Sequence, residues 1–417
     1  MPAPKHTLIV GGGIVGACCA WYLRQSGRNV TIIDQADFGA ACSHGNCGYI
    51  SPSHVAPLPG PGQLLYGLRG LISRNGALRI RPGINMGLWS WLLKFGKRCN
   101  AKDRQQASQA RHVLLQSSRT LYEDLIESNH LDVEWKKDGL LFVFRDAKNF
   151  NHFSELNDRL TQHFNLTAEG LDGAALAELE PALKPGLAGA FHYKTDAHLR
   201  SDRLMAEMRR LLTDAGVKIQ TQTQLLKIQG NASSASNIQT DQGDLTADEF
   251  VIATGATTPF LNAELGCKIP IQPGKGYSIT MPRPKLCPKY PMLLEEVHVG
   301  ITPFDSGYRI GSTMELAGYN HEMSAERLQY LQDGATEFLQ EPMATPVQEE
   351  WFGFRPMTWD GLPYIDATPK YKNVWVAAGH NMLGLSMGTA TGKLVSELIT
   401  GDTAHIDPTP YRIGRPA

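Results

Sequence analysis

The chain opens with a short apolar run at residues 8–10, a glycine turn, and a stretch from Ile14 in which apolar and small residues recur at helical spacing as far as Gly27. A strand at 8–10, a helix over 14–26 ended by Gly27, and a second strand over 29–33 follow from that pattern. Residues 38–51, rich in Gly, Ala, Ser and Asn, predict a loop, and the prolines and glycines of 52–62 an irregular extended stretch. From 63 to 100 apolar and basic positions are mixed. Within it, 86–99 holds Leu88, Trp89, Trp91, Leu92, Leu93 and Phe95 among Lys94, Lys97 and Arg98. Amphipathic spacing predicts a helix over 107–129. Strands about a turn at Lys137, Asp138 and Gly139 are expected in 134–145, and a helix N-capped by Asp172 over 172–182.

The second half alternates differently. A strand at 190–193 and a helix over 201–215 precede short strands at 217–220, 224–229, 237–240 and 249–253. Strand-like runs recur at 277–281, 298–303, 308–312 and 374–377, and a helix over 389–400 closes the pattern. A βαβ start, an insertion, a return to α/β, a second insertion and a closing strand–turn–helix imply interleaved domains. The fold class expected is α/β (α+β overall). A Rossmann-like nucleotide-binding domain from 1–85, 196–262 and 346–417 is interleaved with a mostly antiparallel β-sheet substrate domain, flanked by helices, from 86–195 and 263–345.

Composition narrows the function classes. A chain of 417 residues exceeds one compact core, and 42% apolar with 19% charged residues excludes a disordered chain. The net charge of −1 leaves no electrostatic footprint for nucleic acid, so none is expected as a partner. The cysteines are odd in number and scattered. Cys42 and Cys47 stand too far apart for a CxxC pair, and all are read as reduced thiols. Residues 1–6 lack the apolar core of a secretion signal, and no apolar run reaches about 18 residues. A cytoplasmic protein is expected, with peripheral membrane contact through the tryptophan-rich 86–99 segment.

The strongest local chemistry is Gly11-Gly12-Gly13-Ile14-Val15-Gly16, a G-x-G-x-x-G turn between strand and helix, with Asp34 at the end of the second strand. Gly11 permits the tight turn, Gly13 lets the backbone approach a pyrophosphate, and Gly16 lets helix and strand pack closely. The helix N-terminus, at Ile14 and Val15, offers free N–H groups to phosphate. Asp34, followed by Gln35, suits unphosphorylated ribose hydroxyls. A small-residue loop with Ser43, His44, Asn46 and Gly48 follows. A second lies at His380, Leu383, Gly384, Leu385 and Ser386, ahead of the last helix. Two remote loops over one ring system suit a tightly held flavin better than an exchangeable nicotinamide.

The glycine motif, Ala253-Thr254-Gly255, Lys275-Gly276-Tyr277-Ser278, Gly353-Phe354-Arg355-Pro356 and Gly379-His380 with its turn occur in that order. Together they resemble the D-amino-acid oxidase superfamily of FAD enzymes over nearly the whole chain, and within it are most similar to bacterial dehydrogenases of D-amino acids. The resemblance implies noncovalent FAD and oxidation of an amino acid at its Cα–N bond by hydride transfer to the flavin. D-proline and 4-hydroxy-D-proline are among the candidate substrates, and quinone is the expected electron acceptor. It further implies an adenine contact at Leu225, cofactor contacts at Thr254 and Gly255, and Arg355 as the carboxylate-binding residue. Guanidinium supplies the planar, bidentate, permanently charged recognition that an α-carboxylate needs. Tyr277 and Tyr308, with Arg309, are further substrate-site candidates. His44 is out of register for a covalent flavin tether. Asn381, Met382, Leu385 and Trp359 depart from the family pattern beside the flavin and substrate. An O2-using glycine or sarcosine oxidase and a nonenzymatic flavin-binding regulator are the competing readings.

Overall fold

The computed structural model describes residues 4–62, 76–80 and 86–416. Residues 63–75 and 81–85, where the mixed apolar and basic stretch begins and the first nucleotide segment was expected to end, lie outside them.

Three remote pieces of chain make one six-stranded sheet. Its order is Tyr364–Ala367, Val374–Ala378, Glu249–Ile252, His6–Val10, Asn29–Ile33, Lys218–Gln220, all parallel except the first pair. Leu8, Ile9, Phe250, Val251, Ile32 and Val376 are fully or almost fully buried, as strands covered on both faces must be. On one face the helix Ile14–Gln25 packs against Gly384–Thr400. Their approach is close: a Cβ on Gly392 would stand 2.4 Å from the Cys18 carbonyl carbon. Cys18 and Cys19 are therefore interior packing residues, and burial pushes the Cys19 thiol up to about 12.

The second sheet has nine strands. Glu349–Thr358, Ile271–Met281, Tyr308–Leu316, Val299–Pro303 and Met292–Leu294 follow one another antiparallel, continued by Leu140–Phe144, Gly189–Tyr193 and Glu169–Asp172. The mostly antiparallel substrate sheet is thus present. Leu225–Gly230, Ala235–Thr240 and Gly243–Thr246 form a separate three-stranded sheet.

The domain boundaries differ from the sequence pattern at three places. Glu349–Thr358, grouped with the nucleotide segment, pairs residue for residue with Ile271–Met281, from Ile271 opposite Thr358 to Thr280 opposite Glu349. The chain crosses between sheets only after Thr358. Leu78–Ile80 adds to Tyr308–Leu316, also in the second sheet. Conversely, Ala101–Ser128 packs on the nucleotide side. Its Tyr122 hydroxyl donates to the Leu385 carbonyl at 2.8 Å, and its Ser118 meets Thr389 at 2.7 Å.

Asp172 caps its helix as expected, accepting from Ala174 and Ala175. Of residues 134–145 only Leu140–Phe144 forms a strand, with Lys136 in a single bridge to His198. Among the described residues, three α-helices of more than two turns carry no earlier assignment: Met86–Arg98, Ala147–Phe164 and Ala325–Phe338. Ala147–Phe164 lays Phe150, Phe153, Leu156, Leu160 and Phe164 against the first core, while Ala325–Phe338 closes over the second core. The last helix begins at Gly384, five residues before the expected 389. Its first turns set Gly384, Ser386, Gly388 and Thr389, of poor intrinsic propensity, among the buried Leu385 and Met387 that hold them helical.

Candidate active site

Gly11 ends the first strand at φ +112°, and a Cβ there would stand 2.4 Å from the Ala253 carbonyl oxygen. Gly16 is more constrained, since its Cβ would lie 1.9 Å from the Gly11 carbonyl oxygen. Only hydrogen fits at either place, so the helix start lies flat on the turn. Asp34 braces this turn: it accepts from Gly12 N–H at 2.7 Å and Ala36 N–H at 2.8 Å. Burial pushes its carboxyl up from the ordinary value, against the pull of those two donors. The Ser43 hydroxyl accepts from Ile14 N–H at 3.0 Å, satisfying one of the open donors of the helix.

Above the turn lies a cavity of about 700 Å³. It runs from the braced turn to the edge of the second sheet. Gly11, Gly13, Ile14, Val15, Asp34, Gln35, Ser43, Asn46, Leu225, Thr254, Gly255, His380, Gly384 and Leu385 all line it, and so does Arg355. The structure therefore gathers four of the five motifs around one space, all but Lys275-Gly276-Tyr277-Ser278. Gly16 lies beneath the turn as a packing residue. Gly48 is wedged on Leu199, Leu383 is core, and the Ser386 hydroxyl donates to the Tyr49 carbonyl at 2.7 Å. His44 points instead to Glu349, Nε2 to Oε1 2.8 Å.

The two tyrosines also lie outside the lining. Tyr277 is buried and donates to Glu315 at 2.9 Å. Tyr308 is buried in the second hydrophobic core, where desolvation drives its phenol well above the ordinary range. Successive side chains of a strand point to opposite faces, so membership in a strand of the second sheet does not bring either tyrosine to the cavity.

Arg355 stands near the edge of the second sheet, partly buried, its guanidinium packed over Gly276. It donates to the Thr313 carbonyl at 2.5 Å. Among the described residues no carboxylate lies within 4 Å of it. Burial lowers its pKa from the usual value, while the Cys42 and Cys47 thiols nearby act the other way. A cation so placed is short of an anion. His380 is the opposite case: burial lowers its pKa to about 3, and Nε2 meets the Thr391 hydroxyl at 2.9 Å. It is neutral and adds no charge to the cavity.

Two departures from the family pattern have local reasons. Asn381 sits at φ +55°, a left-handed position that Asn tolerates. Its amide donates to Thr358 Oγ1 and the Gly379 carbonyl and its oxygen accepts from Thr358 N–H, tying the turn to the strand carrying Arg355. Trp359 is buried with Trp91, Phe95, Met314 and Met357, so its bulk seats the helix Met86–Arg98.

Cavity residues that motif reasoning missed include Cys42, Thr223, Phe260, His321, Phe352 and Phe354. Phe354 lies inside the Arg355 motif without having been given a role, and Phe352, one residue before that motif, was open to discovery by period-2 spacing. His321 comes from a loop with no sequence signal. Among the described residues no cluster is suited to a metal ion.

The glycine turn that excludes Cβ atoms, the helix N-terminus above it and the extended cavity fit a dinucleotide. Residues 6–398 match the family model described as FAD dependent oxidoreductase. A protein named D-amino acid dehydrogenase from Granulibacter bethesdensis is 30% identical over 98% of this chain and 99% of its own. One of the same name from Methylobacterium sp. is 31% identical over 99% and 100%. Among solved structures, glycine oxidase from Bacillus cereus superposes with a TM-score of 0.79 at 19% identity, covering 99% of both chains, a likeness of fold. The chain belongs to the family of FAD-dependent oxidoreductases, and its cofactor is FAD.

Proposed function

We propose that this chain is an FAD-dependent dehydrogenase of D-amino acids. The observation that carries it is Arg355: a cation without a carboxylate partner among the described residues, opening on the same cavity as the dinucleotide turn. The turn at Gly11 and Gly13 and the N–H group of Val15 would hold the pyrophosphate, with the Ile14 N–H capped by Ser43, Asp34 would hold the ribose, and the loops at Ser43–Asn46 and His380–Leu385 the ring system, without a covalent link. FAD, when bound, supplies the two-electron acceptor for the substrate's α-hydrogen.

The protein's part is orientation. Arg355 fixes the α-carboxylate as a bidentate pair, which leaves the Cα–H bond one permitted direction. The ammonium substrate first gives one proton to water; the neutral nitrogen's lone pair then forms the C=N bond as the α-hydrogen leaves with its electron pair, and the iminium product is released to water. No side chain is assigned as base. His380 is neutral and engaged with Thr391, and Asp34 is engaged at the far end with backbone N–H groups.

Quinone as acceptor, and a cytoplasmic protein touching the membrane surface, are supported by the helix Met86–Arg98. It buries Leu88, Trp91 and Phe95 and turns Met86, Trp89 and Leu93 outward, with Lys97 beyond them. Among the described residues no helix is long and apolar enough to cross a membrane.

Anaerobic mixing with a panel of D- and L-amino acids, D-proline and 4-hydroxy-D-proline included, is the test. Bleaching of the flavin by D-isomers is expected. Bleaching by L-isomers alone, or by glycine and sarcosine with peroxide released in air, would overturn the assignment.

A further inference from the structure

The cavity-lining loop at residues 41–46 belongs in sequence to the nucleotide half, yet the other sheet holds it, residue by residue. Glu349 takes the His44 ring at 2.8 Å. The Trp351 ring covers Gly45 so closely that a Cβ there would stand 2.2 Å away. Thr302 donates to the Cys47 carbonyl at 2.7 Å. At the centre is Arg309, whose side chain is wholly buried.

Every face of the Arg309 guanidinium is used. Nε donates to Thr280 Oγ1 at 2.9 Å, on the neighbouring strand. Nη1 donates to the Asn46 carbonyl at 2.7 Å and, at 3.4 Å, to the His44 carbonyl. It also reaches the Ser201 hydroxyl at 3.0 Å, which lies 2.6 and 2.9 Å from the same two carbonyls. Nη2 donates to Asp202 at 3.2 Å, and Phe304 lies under the plane. One residue before this grip, Ser43 holds the Ile14 N–H at the phosphate turn. An unbroken path therefore runs from the interior of the substrate sheet to the first turn of the dinucleotide helix.

We propose that Arg309 is a positioning residue for the cofactor: held in the substrate sheet, it fixes the backbone of residues 44–46 and so the Ser43 cap, and thereby sets the affinity for FAD. This rests on the chain's being an FAD protein. A wild type that binds no FAD would count against that reading, and the variants test the clamp alone. A planar fork is required, because two carbonyls, two hydroxyls and a carboxylate lie in different directions around one group. An ammonium keeps the charge and cannot span them.

The test is the dissociation constant of FAD, read from flavin fluorescence on titrating apoprotein. Arg309→Lys is expected to raise it about 10-fold or more, the scale for losing charge-assisted hydrogen bonds. At saturating FAD the KM for the amino acid should stay within about 2-fold of wild type, because Arg355 is untouched; a general loss of structure would not give that split. In a Ser43→Ala background the same substitution should cost distinctly less, as expected if the two act along one path. Ser201→Ala removes the hydroxyl that shares the two carbonyls and should raise the constant about 3-fold or more, the scale of one neutral hydrogen bond. FAD affinity unchanged in Arg309→Lys, or in Ser201→Ala if Arg309→Lys does not fold, would overturn the proposal.

Discussion

The two ends of the cavity recognise by opposite means. At the Asp34 end the surface is largely backbone: glycines that admit no Cβ, a helix N-terminus, and a carboxylate spent on bracing the turn. At the Arg355 end it is side chain: one guanidinium near a sheet edge, with aromatic neighbours. A backbone surface tolerates exchanged side chains and is broken by added atoms. A side-chain surface is broken by removal. Leu225, where the family pattern has valine, illustrates the first rule, and Trp359, large and buried, shows how much bulk the other half absorbs.

The largest effect should come from adding one methyl group at the backbone end. Gly16→Ala places Cβ 1.9 Å from the Gly11 carbonyl oxygen, so the helix must lift off the turn. A loss of about 3–5 kcal/mol in stability is expected, the range of severe steric conflicts, together with loss of FAD. Bound flavin per protein and thermal melting measure both, and a variant with full flavin content would show that the turn is not the recognising surface.

Next comes removal at the other end. Arg355→Ala should lower kcat/KM for the amino acid by about 100- to 1,000-fold, the scale of a lost bidentate charged pair. FAD affinity should hold within about 2-fold. A variant that loses both together would erase the distinction between the ends.

His380 sharpens the boundary between them. Its folded pKa of about 3 lies below the unfolded value of 6.5. The unfolded chain therefore binds more protons between those values, and the stability that neutral His380 contributes, whole above pH 6.5, is lost as pH falls toward 3. Replacing it with Gln should flatten that part of the pH dependence relative to wild type in denaturant melts. Identical slopes would mean that the ring is not held neutral.

The smallest change in stability should follow Trp89→Ser, which should cost less than the same change at its buried neighbour, while binding to anionic vesicles falls. Trp91→Ser, in the buried cluster with Trp359, should cost about 3 kcal/mol by core truncation. Vesicle binding that survives Trp89→Ser, or a wild type that never binds, removes the membrane contact.

The backbone end was legible because its instructions are local. Gly11, Gly13 and Gly16 act within one turn, and Asp34 lies one strand away. The Arg355 end was legible only through resemblance, since nothing within ten residues says which cavity a strand arginine faces. Tyr277 and Tyr308 show the limit: strands of the second sheet, buried away from the cavity, because facing depends on register against strands remote in sequence. The helix Ala147–Phe164 was legible and unread: Phe150, Phe153, Leu156, Leu160 and Phe164 recur at helical spacing and pack against the first core.

The interleaving has a consequence for how the molecule comes into being. His6–Val10 pairs early with Asn29–Ile33, but its parallel neighbour on the other side is Glu249–Ile252, and that strand's own next neighbour is Val374–Ala378. During synthesis the first βα unit emerges early and waits without its central partners. The sheet beneath the cofactor cannot close, nor the helix Gly384–Thr400 cover Cys18, until almost the whole chain has left the ribosome. Loading with FAD is therefore a late event on a finished chain. A truncation of the final fifty residues should be read out as an aggregating apoprotein and not as a weak enzyme.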